Sequence, residues 1–123
     1  MIKIKTADAI GPALDWLVAK CEEGEDLAVN WHPHKWLRGG EWLMRNQPYS
    51  PSTDWSQGGP IIERERIAIA YEPSQIYDDS CRWKALWIMG DHGHDYGPTP
   101  LIAAMRCYVT SKLGDEVEVP EEL

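Results

Sequence analysis

Phenylalanine is absent from these 123 residues, and cysteine occurs only three times. Cys21, Cys81 and Cys107 are odd in number and show no Cys-x-x-Cys spacing. That argues against both a disulfide framework and a cysteine-based zinc site, so a reducing compartment is expected. No apolar run reaches the roughly 18 residues of a membrane span, and none of signal-peptide length opens the chain, so the expectation is a soluble, cytosolic protein. A Gly-x-x-x-x-Gly-Lys phosphate loop is missing too. Serine, histidine, aspartate and cysteine are all present, but no motif groups them for nucleophilic catalysis. The reading therefore favours a protein that is not an enzyme and needs no cofactor.

The chain does contain seven tryptophans and a formal net charge of −8. Its length suits one domain, 1–123, large enough to bury roughly two thirds of its unfolded surface. The charge opposes nonspecific nucleic-acid binding, which needs a basic surface to release counterions from phosphates. The acids form two clusters: Glu22, Glu23, Glu25 and Asp26, then Asp115, Glu116, Glu118, Glu121 and Glu122 in a C-terminal strand or tail, 115–123. Between them lie Arg38, Arg45, Arg64, Arg66, Arg82 and Lys84, which leave room for a local cationic pocket.

Alternation in Ile2–Lys5 predicts a short strand. Gly11 and Pro12 then open a helix whose apolar stripe is Leu14, Leu17, Val18 and Cys21, ended by Gly24. Strands are expected at 27–31, ending at Pro33, and at 41–45. From Gln47 to Pro60, Pro48, Pro51, Gly58, Gly59 and Pro60 argue against any long regular element. Within that span Ser52 or Thr53 is expected to cap a short turn, and Gly59-Pro60 to start a brief helix, 60–65. Strands 67–71 and 82–89 follow, the second covered on both faces. The last helix has Thr99 as cap, Pro100 in its first turn, an apolar face of Leu101, Met105, Tyr108 and Val109, and Gly114 at its end. Glu116–Val119 alternates as an edge strand, stopped by Pro120. This order reads as an α+β domain with two main helices on a mostly antiparallel sheet.

The segment Tyr49-Ser-Pro-Ser-Thr-Asp-Trp-Ser-Gln-Gly-Gly-Pro-Ile-Ile-Glu-Arg64 carries more polar chemistry than a connection requires. In the functional reading Gly58 and Gly59 bring backbone amides close to an anion, and Ser52, Thr53, Asp54 and Gln57 bond polar edges. Tyr49 belongs to the same constellation, Trp55 stacks on a flat ring, and Arg64 pairs with a phosphate. In the structural alternative the hydroxyls cap a turn, Trp55 is core and the glycines make a bend. His32-Pro-His34 and His92-Gly-His94 are His-x-His pairs that suit imidazole ligation of a metal, against exposed loop histidines as the bland alternative. Asp91 and Asp95 form a weaker acid–base pair. Trp16, Trp83 and Trp87 are assigned to the core; Trp31, Trp36, Trp42 and Trp55 flank loops, where one or two could line a stacking pocket or a self-association surface.

The central segment through Arg66, the stretch Gly97-Pro-Thr-Pro-Leu-Ile-Ala-Ala-Met-Arg-Cys-Tyr-Val109 with Gly114-Asp-Glu-Val117, and Ala13–Cys21 resemble the NinX-like family of small phage and prophage proteins. The resemblance implies a phage accessory protein acting inside a bacterial host, and it transfers no catalytic residue. Three function classes follow. The leading one is a non-enzymatic module that captures a small anionic or nucleotide-like ligand, in order to sequester a host signal. The second is a protein-interaction module that inhibits a host enzyme by acidic mimicry of nucleic acid. The third is a metal-dependent hydrolase built on the four histidines.

Overall fold

Ile2–Lys5 forms β1, paired antiparallel with β8, Glu116–Val119. Period-two alternation decides which side of this ribbon is buried. Ile2 and Ile4 stand opposite the buried Val119 and Val117, while Lys3 and Lys5 stand opposite Glu118 and Glu116 on the outer face. The computed structural model describes residues 1–23, 37–38, 41–44, 47–72, 82–88, 90 and 93–121. The expected strand at 27–31 lies outside these residues.

A single 3-10 turn, Thr6–Asp8, leads to α1, Gly11–Glu23. Gly11 adopts φ 60°, a conformation in which a side chain is strained, and Pro12 follows it in the first turn. Leu14, Leu17 and Val18 are buried as their spacing requires, but so are Asp15, Trp16 and Ala19. The helix therefore buries a wider arc than one stripe. β2 (Leu37–Arg38), β3 (Glu41–Met44) and β4 (Gln47–Pro48) form a three-stranded antiparallel sheet.

The glycine- and proline-rich middle departs from expectation. A continuous helix, α2, runs Trp55–Glu65 through Gly58, Gly59 and Pro60, instead of a turn followed by a helix that starts at Pro60. The cap is Asp54, not Ser52 or Thr53: its Oδ1 accepts from the Ser56 amide at 2.9 Å and the Ser56 hydroxyl at 2.6 Å. Pro60, at the sixth helical position, removes the one backbone bond that its own amide would make, close to the end where a proline disturbs least. Arg66, at φ 57°, closes the helix in the left-handed conformation usual for such a cap.

β5 (Ile67–Tyr71), β6 (Trp83–Trp87) and β7 (His94–Gly97) make a second three-stranded antiparallel sheet. β6 ends at Trp87, with Ile88 in a turn and exposed, and β7 takes up residues expected to form a loop. Leu86 is only half-buried and Ile88 is exposed, so the cover expected on both faces of 82–89 is incomplete. The last helix, α3, Pro100–Leu113, is capped by Thr99, whose Oγ1 accepts from the Ile102 amide at 3.1 Å. It is the hub of the fold: β5, β6, β7, α1, α2 and the 3-10 turn all pack against it. Every residue from Leu101 to Thr110 is buried in consequence, not only the predicted apolar face. Gly97 makes the approach of β7 possible, since a Cβ there would stand 2.7 Å from the Ala103 nitrogen. The protein is thus an α+β fold, with its helices on antiparallel strands that form separate sheets among the described residues.

Candidate functional site

α2 divides the sequence-predicted site between its two ends. Nine residues separate Trp55 from Arg64, about 14 Å of helix rise. At the C-terminal end Arg64 donates from Nη1 to Glu22 Oε1 at 3.1 Å and from Nη2 to Glu22 Oε2 at 2.9 Å. Its Nε reaches Glu65 Oε2 at 3.0 Å, and its guanidinium lies over the Tyr108 ring. Tyr108 in turn donates to Glu22 at 3.1 Å. The hydrogen bond to Glu22 raises the pKa of Arg64 above its ordinary value, whereas burial pushes up that of Tyr108. Burial acts against the ionised form of Glu65, yet the bonds from Arg64 and Lys112 hold it below the usual carboxylate range. Arg64 is occupied in joining α2 to α1 and α3. It also opposes the negative end of the α2 dipole, a favourable place for a cation.

The N-terminal end of α2 has a different character. A turn brings the amides of Thr53 and Asp54 to the Ser50 carbonyl at 3.0 and 2.8 Å, and Gln57 Oε1 accepts from the Ser50 amide at 2.6 Å. The Thr53 hydroxyl makes only a long contact, 3.4 Å, to the Ser50 carbonyl. Tyr49 packs against the core. Gly58 is buried, and a Cβ there would stand 2.5 Å from Leu101 Cδ1 and closer still to the Pro51 carbonyl oxygen. The close backbone approach expected at this glycine is therefore made to the protein's own chain. Gly59 is less crowded: its nearest neighbour is the Trp55 ring, 4.0 Å from a Cβ.

A groove of about 190 Å³ opens at this end, lined by Ser52, Thr53, Trp55, Thr99, Leu101 and Ile102. Trp55 is 54% exposed and forms one wall. The first turns of α2 and α3 both border the groove, through Trp55 and through Thr99 and Leu101. The leading amides of a helix have no acceptor within it, and its N-terminus carries partial positive charge. The Ser56 and Ile102 amides are taken by the Asp54 and Thr99 caps and Pro100 has no amide hydrogen, so what the two ends offer an anion is chiefly the positive end of each dipole, and the indole offers a surface to a flat ring.

Behind the groove lies a residue that the sequence reading missed. Asp15 of α1 is 5% exposed, and its Oδ1 accepts from the Ser52 amide at 2.9 Å. The Ser52 hydroxyl, sealed from solvent, has no partner at hydrogen-bonding geometry among the described residues, although it lies close enough to the carboxyl to favour its ionised form. Burial outweighs both Ser52 groups and raises the Asp15 pKa from 3.8 to about 6. The signal was present: Asp15 sits between Leu14 and Trp16, one turn before Val18, within the buried arc of an amphipathic helix.

The remaining candidates are dispersed. His94 is exposed on β7, its ring tilted against Tyr96, while His32, His34, His92 and Asp91 lie outside the described residues. Among the described residues no three His, Cys, Asp or Glu side chains are grouped to hold a metal. Asp95 accepts from the Thr110 hydroxyl at 3.1 Å. Burial pushes the Cys21 and Cys107 thiols up to about 12, which holds both as neutral thiols at ordinary pH. Arg106, buried and unremarked in the sequence, bonds the carbonyls of Ala9 and Tyr96 at 2.8 Å each. Of the acidic clusters, Glu22 is bound to Arg64 and Glu116 lies 3.7 Å from Lys3. Trp16 is buried, and Trp83 and Trp87 pack against the core; the side chains of Trp31, Trp36 and Trp42 lie outside the description. No described helix is long and apolar enough to cross a membrane.

A family model described as "Bacteriophage P22, NinX" matches residues 5–112. None of the curated proteins matches the chain.

Proposed function

The chain belongs to the bacteriophage P22 NinX family, and we propose that it acts in the host cytoplasm as a non-enzymatic module that captures a small anionic or nucleotide-like ligand. The observation that carries this reading is the exposed Trp55 indole beside a groove bordered by the N-termini of two helices. The positive ends of the helix dipoles attract the charge and the indole stacks the ring. The capture is stoichiometric, and a phage gains from it by sequestering a host signal. Arg64 is left out of this reading, because its guanidinium is paired with Glu22 and Glu65 and it does not line the groove. Acidic mimicry has less support, since β1 sets Lys3 and Lys5 opposite Glu118 and Glu116. The hydrolase reading rests on four histidines, of which only His94 is among the described residues, and no three metal-ligating side chains are grouped among those residues.

Native mass spectrometry of protein expressed in a bacterium and gently purified, compared with the denatured sample, tests the reading. A retained small mass is expected in the native spectrum and not after unfolding. Trp55→Ala should lose it and Arg64→Ala should keep it. Retention of the same mass by Trp55→Ala would remove the groove from consideration.

A further inference from the structure

An anion entering the Trp55 groove meets helix dipoles but no cationic side chain, since none of the six lining residues is Lys or Arg. It also meets an adverse charge. Ser52 has two roles, lining the groove and donating its amide to the Asp15 carboxylate, so the carboxylate stands directly behind the groove wall. In this low-dielectric setting two like charges repel strongly, and a ligand that covers the wall deepens the desolvation of the buried group. Both effects favour the neutral acid.

No other described group relieves the repulsion. Among the described residues, the groups that act on Asp15 are the amide and hydroxyl of Ser52. On the loop, the Asp54 carboxylate is turned to Ser56. On α2, Arg64 and Glu65 lie at the far end with Glu22 and Lys112. On α3, Arg106 points to the carbonyls of Ala9 and Tyr96. On α1 itself, Lys20 lies over the Trp16 ring.

Resting on the groove reading above, we propose that this site takes up its anion together with one proton, and that Asp15 is the residue that receives the proton. Asp15 is then a positioning and charge-compensating residue that acts through Ser52. Proton uptake compensates the charge where a cationic side chain would otherwise do so. The coupling restricts tight capture to mildly acidic conditions and to ligands that are anionic; a neutral ring stacks on Trp55 without it.

The probe must keep its charge constant over the range tested. A cyclic phosphodiester nucleotide, adenosine 3′,5′-cyclic monophosphate, does so, and adenosine is its neutral counterpart. Calorimetric titration of the full chain from pH 5 to 8 should show affinity for the cyclic nucleotide rising about tenfold as pH falls from 8 to 5, roughly half of that by pH 6; each unit by which binding raises the Asp15 pKa is a factor of ten. Repeating the titration near pH 7 in buffers of different ionisation enthalpy should reveal net proton uptake. Asp15→Asn, neutral at every pH, should bind at least as tightly as the wild type at pH 8, with a flat profile and no proton uptake. Adenosine binding should be independent of pH in both proteins. A flat profile for the cyclic nucleotide in the wild type, or the same slope in Asp15→Asn, overturns the proton coupling and leaves the groove standing. Binding of neither probe by either protein at any pH overturns the groove reading and the coupling with it.

Discussion

Arg64 grips Glu22 with two nitrogens on two oxygens, 3.1 and 2.9 Å apart, and so fastens α2 to α1. A parallel pair of this kind fixes orientation as well as charge. The Arg64 side chain is nevertheless half exposed, so water and salt screen much of the attraction.

Arg64→Ala is therefore expected to lower stability by only about 1 kcal/mol, less at high salt. Urea denaturation at low and high ionic strength measures this; a shifted midpoint with an unchanged slope identifies lost stability in an intact fold. A loss that does not shrink in salt would mean that packing on Tyr108, not charge, is what Arg64 contributes.

Gly58 and Gly59 are neighbours in sequence with opposite tolerances. A methyl group at Gly58 meets Leu101 and the Pro51 carbonyl, which calls for a backbone shift costing about 1–3 kcal/mol, more than the roughly 1 kcal/mol by which alanine favours a helix. At Gly59 the methyl meets only the Trp55 ring at 4.0 Å, although the ring of Pro60 cuts into the helical gain. Gly58→Ala should be less stable than Gly59→Ala by about 1–2 kcal/mol in thermal unfolding, and equal stabilities would mean that the Pro51 turn yields easily.

The same pair shows how far sequence reading reached. Local signals placed β1, α1, α3 and β8, because alternation, Gly-Pro starts, a threonine cap and terminal glycines act within a few residues of where they stand. They failed at α2, where local punctuation says bend and tertiary packing says helix: Gly58 is held against Leu101, forty-three positions away, and no local rule can show that contact. The candidate segment was recognised, but its residues were grouped because they are adjacent. Folding sent Trp55 outward, turned Asp54 and Gln57 to the backbone, and carried Arg64 to Glu22. Thr99, Leu101 and Asp15, which complete the groove and its backing, come from distant segments.

Thr99 both caps α3 and lines the groove. Thr99→Ala should cost about 1 kcal/mol of stability through the lost cap, whereas Thr99→Asn restores the cap with a different side chain. Chemical denaturation of the two variants separates the contributions. If Thr99→Asn recovers stability but not ligand retention, the threonine side chain is itself part of the site; recovery of both assigns it to the cap alone.

Asp15 makes the sign of a pH effect predictable. Its folded pKa, about 6, lies above the ordinary 3.8, so between those values the native protein binds more protons than the unfolded chain. Stability then falls as pH rises through that window and is constant above it, the reverse of a salt-bridged carboxylate. A shift of about two units corresponds to a loss of about 3 kcal/mol. Other carboxylates titrate over the same range, so the quantity to measure is the stability of Asp15→Asn minus that of the wild type, by urea denaturation at several pH values. The difference should move in favour of the variant by about 2.4 kcal/mol between pH 4 and 7, since part of the shift lies below pH 4. The asparagine amide still has to share the Ser52 amide and hydroxyl, which adds a constant offset but no slope. A difference independent of pH would show that the wild-type carboxyl titrates no differently in the folded and unfolded chain, and that the interior behind Ser52 is wetter than the burial of Asp15 indicates.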